Sequence, residues 1–153
     1  MYPTMDLLDP VLEDGTLRAR LVVPDKAIDM YGHANNIAYV RWLQDVAVLH
    51  SEQVGLGWEV YVKLGAAFVI RRQTIDYLRP LRKGDAVSVA TWVVSQSRSS
   101  SLRRTEMRNA AGEIVFKAET TWIFVSLETG RPLEMPDDIR ARFATKASVP
   151  AGA

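Results

Sequence analysis

Residues 28–54 read IDMYGHANNIAYVRWLQDVAVLHSEQV, and the second half of this stretch decides the architecture. From residue 36 to about 54, Val40, Leu43, Ala47, His50 and Val54 recur at three- and four-residue spacing, with Tyr39, Trp42, Val46 and Leu49 as a second stripe beside them. That periodicity predicts a helix with an apolar face too wide for a single line of contact. A sheet that curls around the helix would cover it. Arg41, Asp45 and Glu52 mark the polar side. Asn35 or Asn36 supplies the N-cap, and Gly55 or Gly57 ends the helix.

Strands flank this helix on both sides. Upstream, TLRARLVV at 16–23 alternates well enough to be a strand, stopped by Pro24-Asp25. Downstream, strands are expected at 67–78, 86–95, 99–108 and 114–125, with turns at Pro80 and Lys83-Gly84-Asp85 and a hairpin loop at 109–112. In the last strand Ile114, Phe116, Ala118, Thr120, Trp122 and Phe124 share one face and Lys117, Glu119 and Thr121 the other, as in a sheet covered on one side. Pro136-Asp137-Asp138 opens a short helix running to about Phe143. The leader before residue 16 is expected to be loose, and the small-residue tail at 144–153 to fray. The fold class is therefore α+β: a curved antiparallel sheet of about five strands around one long helix, in a single domain over residues 1–143. An uncovered sheet edge makes a homodimer or homotetramer the economical state.

Composition removes several function classes. A chain of 153 residues, 48% hydrophobic and 24% charged with a net charge of +1, has material for one core and no general basic footprint for nucleic acid or an acidic membrane. Cysteine is absent, which excludes disulfides, thiolate metal sites and a thiol nucleophile. The opening MYPTMDLLDPVLEDG lacks the basic start and apolar run of a secretory signal. A cytoplasmic location, with no membrane partner and no metal, is the expectation.

The chemistry is expected where the helix begins. Residues 28–39 concentrate an acid, an imidazole, amides and a glycine just ahead of it. A helix N-terminus offers unpaired N–H groups and about half a positive charge. Those donors suit a carbonyl that becomes an oxyanion under attack, and Asp29 lies on the preceding loop as candidate base or nucleophile.

The run IDMYGHANNIAYVRWL resembles the helix entry of the hotdog-fold thioesterases: the Asp-x-x-Gly of the 4-hydroxybenzoyl-CoA thioesterase-like family, then the His-x-Asn-Asn-x-x-Tyr found there and in plant acyl-ACP thioesterases. The segments IDYLRPLRKGDAVSVATWV and WIFVSLETGRPLEMPDDIR are similar to members of the same superfamily, so the resemblance runs from about residue 16 to 143.

The resemblance implies a hydrolase acting on an acyl-CoA or acyl-ACP thioester without a separate cofactor, in a dimer or tetramer with pantetheine running between protomers. Asp29 falls on the catalytic carboxylate, and the backbone N–H near Asn36 falls where the thioester carbonyl is polarised. His33 and Asn35 fall on motif positions, with Tyr31 and Gly32 beside them. Two positions depart from the related branches: Tyr31 stands where plant acyl-ACP enzymes have Asn, and Asn36 where short-chain acyl-CoA enzymes often have His.

Plainer roles compete at several positions. His33 can orient the loop, His50 reads as a satisfied core or interface histidine, and Asn35 and Asn36 can be caps alone. For the nucleotide phosphates of CoA, Arg98 with Ser99 and Ser100 is preferred among Arg71, Arg72, Arg79, Arg82, Lys83, Arg103 and Arg104. Trp42, Trp58, Tyr61, Phe68 and Trp92 are candidates for an acyl pocket. Two other functions share the fold: a hydroxyacyl-thioester dehydratase, for which His33 lacks the downstream acid pattern, and a non-catalytic acyl-thioester-binding subunit.

Overall fold

The computed structural model describes residues 6–144 and 149–150. Strands β1 (Leu8–Glu13) and β2 (Thr16–Val22) form a hairpin, followed by helices α1 (Asn36–Gln53) and α2 (Trp58–Leu64). Strands β3 (Ala66–Tyr77), β4 (Ala86–Gln96), β5 (Ser100–Arg108) and β6 (Ile114–Ser126) come next, then α3 (Asp137–Arg142) and the short β7 (Val149–Pro150). The sheet runs β1-β2-β4-β5-β6-β3, every neighbouring pair antiparallel, with β7 added in parallel to the end of β4.

The connection from β2 to β3 spans the whole sheet, since the two strands lie on opposite sides of the β4-β5-β6 block. It carries α1 across the inner face. This is the hotdog arrangement expected from the sequence. No proline or glycine interrupts α1 between residues 36 and 53. At its end the Leu56 amide donates back to the Ser51 carbonyl at 2.8 Å, closing the last turn. The wide apolar face is real: Tyr39, Trp42, Leu43, Val46, Ala47 and Leu49 are all buried. The Tyr39 ring stacks on Phe116 with centroids 5.4 Å apart.

The leader expected to be loose forms β1 instead, which with the short β7 raises the sheet to seven strands from about five. Asp14-Gly15 is a two-residue turn between the paired Glu13 and Thr16, with φ of 51° and 79°. Both values are positive, as a type I′ hairpin turn requires. Pro10 is tolerated because β1 is an edge strand. Asp45, assigned to the polar side of the helix, is buried at 6% exposure. Burial raises its pKa above the usual carboxylate range. Most of the tail expected to fray lies outside the described residues; Val149–Pro150 pairs with Ser95 and Gln96. Among the described residues no helix is long and apolar enough to cross a membrane.

Two clusters make up the core. One gathers the first part of α1 with β2 and the start of β4; the other gathers Leu56, Tyr61, Val93, Phe124, Met135, Ile139 and Phe143. Between them a polar row crosses the inner face of the sheet. Thr91 and Thr105 share a hydrogen bond at 3.1 Å, Thr120 donates to Gln73 at 3.2 Å, and Arg103 lies in the same row.

Candidate active site

The chain between β2 and α1 closes on itself before the helix starts. Ile28 and Ala34 form an isolated antiparallel bridge. The Asp29 amide donates to the His33 carbonyl and the Gly32 amide to the Asp29 carbonyl, both at 3.0 Å. Gly32 has φ of 81°, a conformation in which a side chain would be strained. This is why the loop carries glycine there. The Ala34 amide then ties the loop to the Leu81 carbonyl at 2.7 Å.

Asp29 sits half-buried at the head of this turn. Its Oδ1 accepts the Tyr31 amide at 2.9 Å, an Asx turn that fixes the carboxylate. Among the described residues Oδ2 has no partner, so one oxygen is held and the other is open for chemistry.

Asn35, rather than Asn36, is the N-cap. Its Oδ1 accepts the Ala38 amide at 2.8 Å, and its Nδ2 donates to the Ala27 carbonyl at 3.1 Å. The Asn35 side chain is therefore spent on structure. Asn36 and Ile37, as the first helical residues, keep amides with no intrahelical acceptor. Removing the cap should be measurable: Asn35→Ala is expected to lower stability by about 1 kcal/mol, read as a fall in the urea midpoint at unchanged slope.

Around this helix start the surface is apolar and open. Met30, Tyr31 and Ile37 are 92%, 80% and 79% exposed, and Tyr77 and Leu78 at the end of β3 are exposed beside them. His33 is half-buried, and its imidazole makes no hydrogen bond among the described residues. Asp29, Tyr31, Gly32, His33, Asn35 and Asn36 thus share one loop and one helix end.

Arg98, Ser99 and Ser100 do not join them. They form the β4–β5 turn, where Arg98 is exposed and pairs with Glu134 at 3.7 Å, and Ser100 bonds the Ser97 hydroxyl. This turn lies at the opposite end of the sheet, where β4 gives way to β5, whereas the Asp29 loop is tied to Leu81 ahead of the start of β4.

At that far end a cavity of about 330 Å³ opens between the C-terminal half of α1, α2 and the sheet. Trp58, Tyr61 and Phe68, proposed for an acyl pocket, line it. Trp42 and Trp92 do not: Trp42 is in the first core cluster, and Trp92 faces the outer side of the sheet with Asp9 and Arg18. Arg103, grouped above with candidate phosphate ligands, is 5% exposed and also lines the cavity. His50 is fully buried, as expected of a core histidine. It is only half satisfied: Nδ1 is within 2.8 Å of Arg103 Nη1, and Nε2 has no partner. The period of β5 carried the signal for Arg103. Counting back in twos from Met107 puts Thr105, Arg103 and Ser101 on the inner face.

Known proteins resemble this chain at low identity. The oleoyl-acyl carrier protein thioesterase 1 of Arabidopsis thaliana is 24% identical over 144 residues, which is 89% of this chain and 40% of that protein. The chain therefore spans less than half the length of that plant relative. A thioesterase from Thermus thermophilus, solved in complex with coenzyme A and Zn, superposes with a TM-score of 0.70 at 28% identity, over 82% of this chain and 90% of that one. The DHNA-CoA thioesterase of Staphylococcus aureus superposes with a TM-score of 0.75 at 19% identity, over 82% and 87%. Residues 22–143 match the family described as Thioesterase-like superfamily, and with the hotdog architecture around a helix entered through Asp29, the chain belongs to that superfamily.

Proposed function

We propose that this protein hydrolyses an acyl thioester carried on coenzyme A or an acyl carrier protein, releasing the free acid and the thiol. The observation that carries this reading is the unpartnered Asp29 Oδ2, on a turn closed just ahead of the open amides of Asn36 and Ile37. The relatives act in name on such esters. The thioester carbonyl oxygen accepts from the first-turn amides, which stabilise the negative charge it gains.

Asp29 then acts in one of two ways. As general base it takes a proton from water while the water oxygen bonds to the carbonyl carbon; collapse of the adduct expels the thiolate, which recovers the proton. As nucleophile it bonds to the carbonyl carbon and expels the thiolate, giving an anhydride that water opens at the Asp29 carboxyl carbon, which frees the acid and restores the carboxylate. A single turnover in ¹⁸O water separates the two, since only the second leaves label on Asp29. His33 holds the loop through its backbone carbonyl, which accepts the Asp29 amide at 3.0 Å, and no cofactor beyond the carrier enters the reaction.

A second copy completes the site. The edge of β3 away from β6 has no strand beside it among the described residues, and Val69 and Tyr77 on it are exposed. Two-fold pairing along that edge is isologous and antiparallel. It sets the Asn36 end of one α1 toward the cavity and the Arg98 turn of the other. Asp29 from one subunit then faces an acyl pocket and a phosphate contact from its partner.

The test is free-thiol release from purified protein with acyl-CoA and acyl-ACP esters of graded length, aromatic acids included. Absence of release from every ester rejects the reading. For the phosphate contact, Arg98→Ala should raise KM for acyl-CoA roughly tenfold, the worth of one charge-assisted hydrogen bond, and leave KM for the matching pantetheine ester unchanged. Equal effects on the two esters reject that contact.

A further inference from the structure

Between the two core clusters lies a buried cation with no anion paired to it among the described residues. Arg103 is 5% exposed, and its Nη1 donates to His50 Nδ1 at 2.8 Å and to Thr91 Oγ1 at 3.1 Å. Neither acceptor is charged, because burial and the guanidinium together hold the His50 pKa down to about 3. The Phe143 ring stands 5.7 Å from the guanidinium carbon, and no carboxylate lies within salt-bridge distance among the described residues. A buried cation without a counterion costs several kcal/mol.

Every unsatisfied group around it is a donor. Arginine only donates, so His50 Nδ1 must accept and the neutral ring carries its hydrogen on Nε2, which is buried and unpartnered. The Trp122 Nε1–H is likewise buried with no acceptor, and Trp122 lines the cavity. The rest of the lining is mostly apolar, with Ala47, Leu56, Phe68 and Phe143 among the walls. Its one acid among those residues, Glu52, is exposed. A ligand suited to this lining has an apolar body and one anionic acceptor head, and a carboxylate matches the guanidinium fork. A doubly charged phosphate would bring a further negative charge near Glu52.

We infer that the cavity binds an apolar carboxylic acid with its carboxylate on Arg103 and Trp122. At ~30 Å³ per heavy atom, the share of a liquid water, the cavity holds on the order of ten non-hydrogen atoms, the size of octanoate. Two sources supply this chemistry: a free medium-chain acid, or the far carboxylate of a dicarboxylic acyl thioester. The second rests on the thioesterase reading; the first does not.

Calorimetric titration of the full-length protein with octanoate and with 1-octanol decides it. Octanoate is expected to bind at least about tenfold tighter, and Arg103→Met to remove that preference while octanol still binds. Arg103→Met keeps the apolar volume, and replacing a buried ion by a packed apolar group is often tolerated. If that variant fails to fold, the wild-type ratio alone stands as the test. Equal affinity of the wild-type protein for acid and alcohol, or binding of neither at millimolar concentration, overturns the inference.

Suberoyl-CoA and octanoyl-CoA then separate the sources. A kcat/KM advantage for suberoyl-CoA that Arg103→Met abolishes identifies the far carboxylate. Inhibition of octanoyl-CoA hydrolysis by octanoate, with no suberoyl advantage, identifies the free acid. Should neither ester turn over, the thioesterase reading fails and the octanoate-to-octanol ratio still decides the site.

Discussion

Asp29→Asn is expected to lower kcat for acyl thioester hydrolysis by at least ~10², the contribution of a positioned acid–base group, with KM little changed. The substitution is chosen for what it leaves intact. An asparagine Oδ1 still accepts the Tyr31 amide, so the turn that Asp29 Oδ1 now closes at 2.9 Å survives. The Asp29–His33 and Gly32–Asp29 backbone bonds do not depend on the side chain. What disappears is the oxygen with no partner, as proton acceptor or nucleophile. Stability should stay within about 0.5 kcal/mol of wild type, as for a substitution that breaks no buried contact. A turnover near that of the parent protein, in a variant with an unchanged melting curve, would falsify the assignment of chemistry to Asp29. A large drop in both turnover and melting temperature would mean instead that the carboxylate's charge holds the loop.

The loop and helix that carry this prediction were legible because local rules govern them. Asn35 caps, Gly32 takes the left-handed turn, and the 3.6-residue stripe from Val40 to Val54 sets the helix direction. Strands β3 to β6 fell within one or two residues of their expected limits for the same reason. β1 was missed although Asp14-Gly15 is a hairpin signal, because Asp9 and Pro10 break its alternation and only pairing with β2 makes it a strand. Asp45 shows the opposite failure. On the helix wheel it belongs to the polar side, and its burial depends on tertiary packing that no local pattern encodes.

The cavity was the least legible part. Trp58, Tyr61 and Phe68 come from two elements and meet Trp122 and Phe143 only through the sheet order. Arg103 looked like one more cation in an arginine-rich strand. Its burial follows from a phase that Met107 sets four residues later, and the residues opposite it on β4 and β6 are Val93 and Thr120, neither of them an acid.

That buried pair gives the larger stability prediction. In the fold His50 resists protonation until about pH 3, whereas in the unfolded chain it takes up a proton near the ordinary value of 6.5. Between these values the unfolded state binds more protons. Its contribution is fully present above pH 6.5 and is lost as the pH falls toward 3, amounting to up to about 5 kcal/mol at 1.36 kcal/mol per pKa unit. Asp45, raised by burial, contributes with the opposite sign at acid pH, so the wild-type curve alone does not isolate His50. The comparison with His50→Gln does. Glutamine Oε1 can accept from Arg103 Nη1, and the side chain has no proton to gain. Urea unfolding at pH 7, 6, 5 and 4 should show the wild-type protein losing stability faster than the variant on each step below 6.5, with Asp45 cancelling in the difference. Parallel curves would mean that His50 is reached by solvent or charged in the fold. The direction follows from the geometry: a protonated His50 could no longer accept from Arg103, and two cations would face each other with no carboxylate beside them. Acid should therefore open the cavity first, and a carboxylate bound to Arg103 should delay it.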